Sequence, residues 1–67
     1  MNKIIDKKIV ERKVSGRYYI STVDTYQDSF GRKWEDLRPW DSFRSKEIWE
    51  REKETQLIQM KNCGRIN

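Results

Sequence analysis

Lys8-Ile9-Val10-Glu11-Arg12-Lys13-Val14, then Ser15-Gly16, then Arg17-Tyr18-Tyr19-Ile20-Ser21-Thr22-Val23: this stretch decides how the chain folds. β-Branched and aromatic residues run on both sides of a short break, which is the signature of two strands joined by a tight turn. Gly16 supplies the positive φ that such a turn demands. The stretch therefore predicts a β-hairpin over residues 7–24. Its register depends on the loop. A three-residue loop gathers Val10, Val14, Tyr18 and Ile20 on one face and leaves Lys7, Ile9, Lys13, Arg17, Tyr19 and Ser21 on the other. A two-residue loop shifts the parity and mixes these sets. The three-residue loop is the expectation, because it collects an apolar patch.

Working outward, Asp24 to Arg32 reads as a loop, with Asp28, Ser29 and Gly31 as turn formers. A third strand is expected over residues 32–38, ended by Pro39, which cannot donate to a sheet ladder. Trp34 and Leu37 cannot share one side of a regular strand. A helix follows over residues 45–62, starting at Ser45 or as early as Asp41. Ser45 suits the N-cap, Glu47 the first turn, Lys61 the last turn and Gly64 the stop. Residues 50–56 hold no apolar side chain. The helix thus has apolar ends: Phe43, Ile48 and Trp49, then Leu57, Ile58 and Met60. The second group projects past a small sheet, either as a frayed end before a tail over 63–67 or as a contact for self-association. The fold class is α+β: a three-stranded antiparallel sheet with one C-terminal α-helix, in one domain spanning 1–67.

Composition narrows the function. The chain has 67 residues, 34% hydrophobic and 39% charged, with three Trp, three Tyr and two Phe. A domain this size buries only about 60% of the surface its unfolded chain exposes, so the aromatics must anchor a thin core. There is no histidine and one cysteine, Cys63. Nucleophile–histidine pairs are thereby excluded, and zinc sites disfavoured. The carboxylates Asp24, Asp28, Glu35 and Asp36 match no calcium loop, and three scattered glycines form no phosphate cradle. No enzymatic activity, metal or cofactor is expected. A single cysteine implies no intrachain disulfide and points to a reducing, cytoplasmic setting. No apolar run approaches the ~20 residues of a membrane span.

The net charge is +4, and the first twenty residues hold six cations against two carboxylates. That asymmetry points to an anionic partner. Lys13, Arg17 and Tyr19 share the polar hairpin face in the expected register, with Arg32, Lys33 and Arg38 on the adjoining segment. Such residues neutralise phosphates and read base edges. The same pattern also fits an ordinary solvated strand. DNA is thus one expected partner. A host protein complex is the other, which the acidic residues 24, 28, 35 and 36 favour.

Gly16-Arg17-Tyr18-Tyr19-Ile20, Gly31-Arg32-Lys33-Trp34 and Phe43-Arg44-Ser45-Lys46-Glu47 together resemble the arm-type DNA-binding domain of tyrosine recombinases, the integrases of phages and transposons. The resemblance spans roughly residues 8–55. It implies three antiparallel strands, one helix packed on one face, and DNA met by the opposite face. The loop before Gly31 is longer than in that pattern, and Pro39 and Trp40 stand where it has polar strand residues. A looser likeness, through Ile20-Ser21-Thr22-Val23 and Trp34-Glu35, is to small prophage proteins of unknown function.

Overall fold

A computed structural model describes residues 2–67. Its elements in chain order are β1 (Lys3–Val14), β2 (Arg17–Gln27), β3 (Lys33–Phe43) and α1 (Lys46–Asn62). The sheet is an antiparallel meander with β2 in the centre. The α1 helix packs on one face, completing the expected α+β arrangement.

The hairpin turn is one residue shorter than expected. Val14 pairs directly with Arg17, so the loop is Ser15-Gly16 alone. Both turn residues have positive φ, 50° at Ser15 and 80° at Gly16. This backbone matches the right-handed twist of the flanking strands, which is why two-residue hairpins favour it. Cross-strand partners share a face, so the correction moves every side chain of β1 relative to β2. Tyr18, Ile20, Thr22 and Asp24 now face the helix, opposite Lys13, Glu11, Ile9 and Lys7.

That inner face looks too polar until its partners are counted. The Glu11 carboxylate accepts from the Tyr18 hydroxyl at 2.7 Å and from the Trp49 indole N–H at 3.1 Å. Lys53 stands 3.8 Å from its other oxygen. A carboxylate so supplied can sit beside a core without a large desolvation penalty. It also holds the Tyr18 phenol protonated. The hydrogen bond to Glu11, then desolvation, then the charges of Glu11 and Glu50 push it up to about 12.

The third strand is longer than expected and Pro39 lies inside it. An edge strand tolerates proline, since a missing N–H can face solvent. Here the ladder also shifts by one residue: Ile20 pairs with Asp41 and Ser21 with Pro39, leaving Trp40 as a bulge. The bulge turns Trp40 toward the helix, where its indole N–H reaches Gln56 at 2.9 Å. Asp24 to Gln27, expected in the loop, are strand; the loop is 28–32.

The helix begins as expected at the Ser45 cap, whose hydroxyl accepts from the Ile48 N–H at 3.4 Å. Gly64 closes it at φ 78°. The Gly64 and Arg65 N–H groups bond back to the Lys61 and Met60 carbonyls, the pairing that satisfies orphan carbonyls at helix ends. Trp49 and Met60 are fully buried with Ile20, Tyr18 and Phe43, and Trp40 and Leu57 pack around them. The polar turns 50–56 do not interrupt this contact, because Lys53 and Gln56 dock on Glu11 and Trp40. Met60 is therefore core, Leu57 is half-buried against it, and Ile58 alone of the proposed self-association trio is exposed. Nor is 63–67 a free tail. The Arg65 guanidinium reaches Thr22 Oγ1 and the Arg38 and Pro39 carbonyls at 3.1–3.3 Å and lies over the Trp40 ring.

Candidate nucleic-acid interface

With α1 on one side, the opposite sheet face is left uncovered. Counting by register, it presents Val10, Arg12 and Val14 from β1, Arg17, Tyr19 and Ser21 from β2, and Lys33, Leu37 and Pro39 from β3. At the end nearest the Ser15-Gly16 turn, Arg12, Val14, Tyr19, Ser21 and Pro39 line a shallow hollow. Tyr19 is 41% exposed there. Arg17 is braced by a 2.9 Å hydrogen bond to Ser42 Oγ. Further along, Lys8 and Glu35 pair at 3.2 Å across the central strand and help cover Val23.

The charge of the two sides differs. The α1 helix carries four cations and four carboxylates. On the open face, Lys8 is matched by Glu35, but Arg12, Arg17 and Lys33 form no ion pair among the described residues. Arg12 and Arg17 thus stand near an exposed tyrosine and a buried serine, and Lys33 lies at the opposite end of the same face, paired with Gln27.

Of the six residues expected at a partner surface, Arg17, Tyr19 and Lys33 lie on this face, Arg17 and Tyr19 close to the hairpin turn and Lys33 at the far end beside Gln27. Lys13 belongs to the other side. The two-residue turn pairs it with Tyr18, and it lies beside Glu47 at the start of α1. Hydrogen bonds from the Glu47 backbone N–H and the Ser45 hydroxyl hold that carboxyl below its usual range, and Lys13 adds attraction. Arg38 also faces the helix side, 3.5 Å from the buried Asp24 carboxylate. Arg32 lies in the loop after β2. Its guanidinium is bound by Asp28 at 2.8 Å and covers the Phe30 ring. Burial pushes the Asp28 carboxyl up, but hydrogen bonds from the Arg32 backbone and side chain and from Phe30 N–H outweigh it and hold it low.

Arg12 is the residue missed. Its signal was present in the sequence, since the alternative two-residue register places it level with Tyr19. Among the described residues, no three metal-ligating side chains come together, and no helix is long and apolar enough to cross a membrane. Comparison with family models, with curated proteins and with solved structures yields no match.

Proposed function

We propose that this chain binds double-stranded DNA through the open sheet face, as a non-enzymatic accessory or regulatory protein of a phage or mobile element. The observation that carries this reading is the net positive charge of the open face, where Lys3, Lys8, Arg12, Arg17 and Lys33 stand against Asp6 and Glu35. Arg12, Arg17 and Lys33 stand on the face that the charge-balanced helix leaves free. The major groove, about 12 Å wide, admits a two-stranded ribbon. The β1–β2 ribbon puts Arg12, Arg17, Tyr19 and Ser21 on one such surface. The arginines can take phosphates or guanine edges, and the exposed Tyr19 ring can lie against the backbone between them. The resemblance to arm-type domains supports the same face and the mobile-element setting. The absence of histidine and of any paired cysteine supports binding without catalysis.

The test is the salt dependence of affinity for a labelled duplex, followed by fluorescence anisotropy. Each phosphate contact contributes ~0.9 to the slope of log affinity against log salt. Arg12→Ala with Arg17→Ala should flatten the slope by about 1.8 while the melting temperature holds. Lys13→Ala should leave the slope unchanged, because Lys13 is on the helix side. Equal slopes for the wild type and the double variant, or no duplex binding at low salt, would overturn the reading.

A second reading, a modulator of a host protein complex, is favoured by a separate observation: an apolar shelf on the other side of the sheet, beyond the end of the helix.

A further inference from the structure

The strands outrun the helix. The last turn of α1 meets the sheet at Lys7, Thr22 and Arg38, through the Lys7 ammonium on the Gly64 carbonyl and the Arg65 contacts. Four residues further along β2 and β3, about 13 Å at strand spacing, lies a level that no other element among the described residues covers. There Ile4 pairs with Tyr26, and Tyr26 with Trp34, all on the helix side of the sheet. The Tyr26 and Trp34 rings stack, with centroids 5.7 Å apart and planes 12° from parallel. Trp34 is 41% exposed and Ile4 42%. Four of the eight large hydrophobic side chains exposed among the described residues, Ile4, Ile5, Phe30 and Trp34, belong to this end of the molecule.

The charge beside the shelf is specific. Asp36 lies two residues from Trp34 on the same strand and face, opposite Asp24. Lys7 is occupied by the Gly64 carbonyl and Arg38 by Asp24. Asp36 is exposed and forms no ion pair among the described residues. An exposed carboxylate next to an exposed indole is a seat for a cation, which the ring face attracts as well. Phosphates are repelled there.

We propose that this shelf docks a protein partner: an amphipathic segment that lays apolar side chains over Ile4 and Trp34 and places a lysine or arginine between the Trp34 ring and the Asp36 carboxylate. Contiguous exposed apolar surface of this kind marks interaction sites, and tryptophan anchors them disproportionately. The shelf and the cationic face lie on opposite sides of one sheet, so the two can be occupied together. This inference stands whether or not the open face binds DNA.

The probes are two synthetic twelve-residue peptides with the same leucine positions, one carrying arginines and the other glutamates between them. The readout is the indole N–H resonance of Trp34 in the nitrogen-15 spectrum of the full chain. The arginine peptide should shift Trp34 and the strand ends around it, leaving the Trp49 signal in place. Trp34→Ala should abolish binding while the chain stays folded, its Trp49 indole signal unmoved. Asp36→Lys should weaken the arginine peptide by about tenfold or more and make the glutamate peptide the better ligand. Equal response to both peptides would mean mere apolar adhesion and would overturn the proposal. So would a response centred on Tyr19, or none at millimolar peptide. Anisotropy with duplex DNA, run on Trp34→Ala, keeps the two surfaces distinguishable: loss of DNA binding in that variant would also overturn it.

Discussion

Replacing Glu11 by alanine removes the acceptor that ties the hairpin to the helix. Trp49 is fully buried, and its indole N–H has Glu11 Oε1 as its partner at 3.1 Å. A buried donor left without an acceptor costs ~1–3 kcal/mol. The Glu11 side chain is itself 30% exposed, so water can follow into the vacated space. That places the cost in the lower half of the range, ~1–2 kcal/mol. In a domain of this size each kcal/mol is worth roughly 4–8 °C of melting temperature. Glu11→Ala should therefore melt roughly 4–16 °C lower by circular dichroism, while Glu11→Gln, which keeps an oxygen, should lose less. The reasoning has a second arm in pH. Tyr18 is an acid whose folded value, about 12, lies above its ordinary 10.0. Its contribution is complete below pH 10.0 and fades as pH rises through the interval to about 12. Tyr18→Phe should flatten that alkaline decline. A Glu11→Ala protein melting within a degree of wild type, with an unchanged alkaline limb, would refute the network.

Two further outcomes concern the turns. The Asp28 carboxyl is held low by the hydrogen bonds it accepts in the 28–32 loop. Its contribution is complete above the ordinary value of 3.8 and is lost as pH falls through its lower folded value. Asp28→Ala should speed hydrogen exchange at the Phe30 and Arg32 amides at neutral pH; unchanged exchange would count against it. Ser15 holds φ 50° without being glycine, and asparagine adopts that region more readily. Ser15→Asn should raise stability by about 0.5–1 kcal/mol in urea melts, and a loss would mean the turn is not of this type.

The hairpin, the order of elements and both helix ends were legible, because a glycine turn, a serine cap and a glycine stop are local signals. What was not legible depended on distant partners. The three-residue loop looked better because it gathered Val10, Val14, Tyr18 and Ile20 on one face, whereas the observed register sets Glu11 there. Trp49, 38 residues further on, is what makes Glu11 welcome there. The same parity error put Lys13 in the candidate site and left Arg12 out. Arg17, Tyr19 and Lys33 do fall on one face of the sheet, since their parity did not depend on β1. Pro39 looked like a strand end only because nothing in the sequence says that β3 is an edge. Residues 50–56 looked detached because polar docking by Lys53 and Gln56 leaves no apolar period to read.

The two margins of the sheet are defended by different means. On β3 the guard is covalent: Pro39 lacks an N–H, and the bulge at Trp40 breaks the ladder that an incoming strand would need. The β1 margin has no such device between Asp6 and Val14, where pairing runs without interruption. Its guard is the lysine and arginine content of the strand itself, a form of protection that salt screens. Colloidal behaviour should thus hinge chiefly on the β1 margin. Conditions that mute its charge, such as concentrated salt or acylation of its lysines, expose the longer uninterrupted edge from which sheet-to-sheet growth can start.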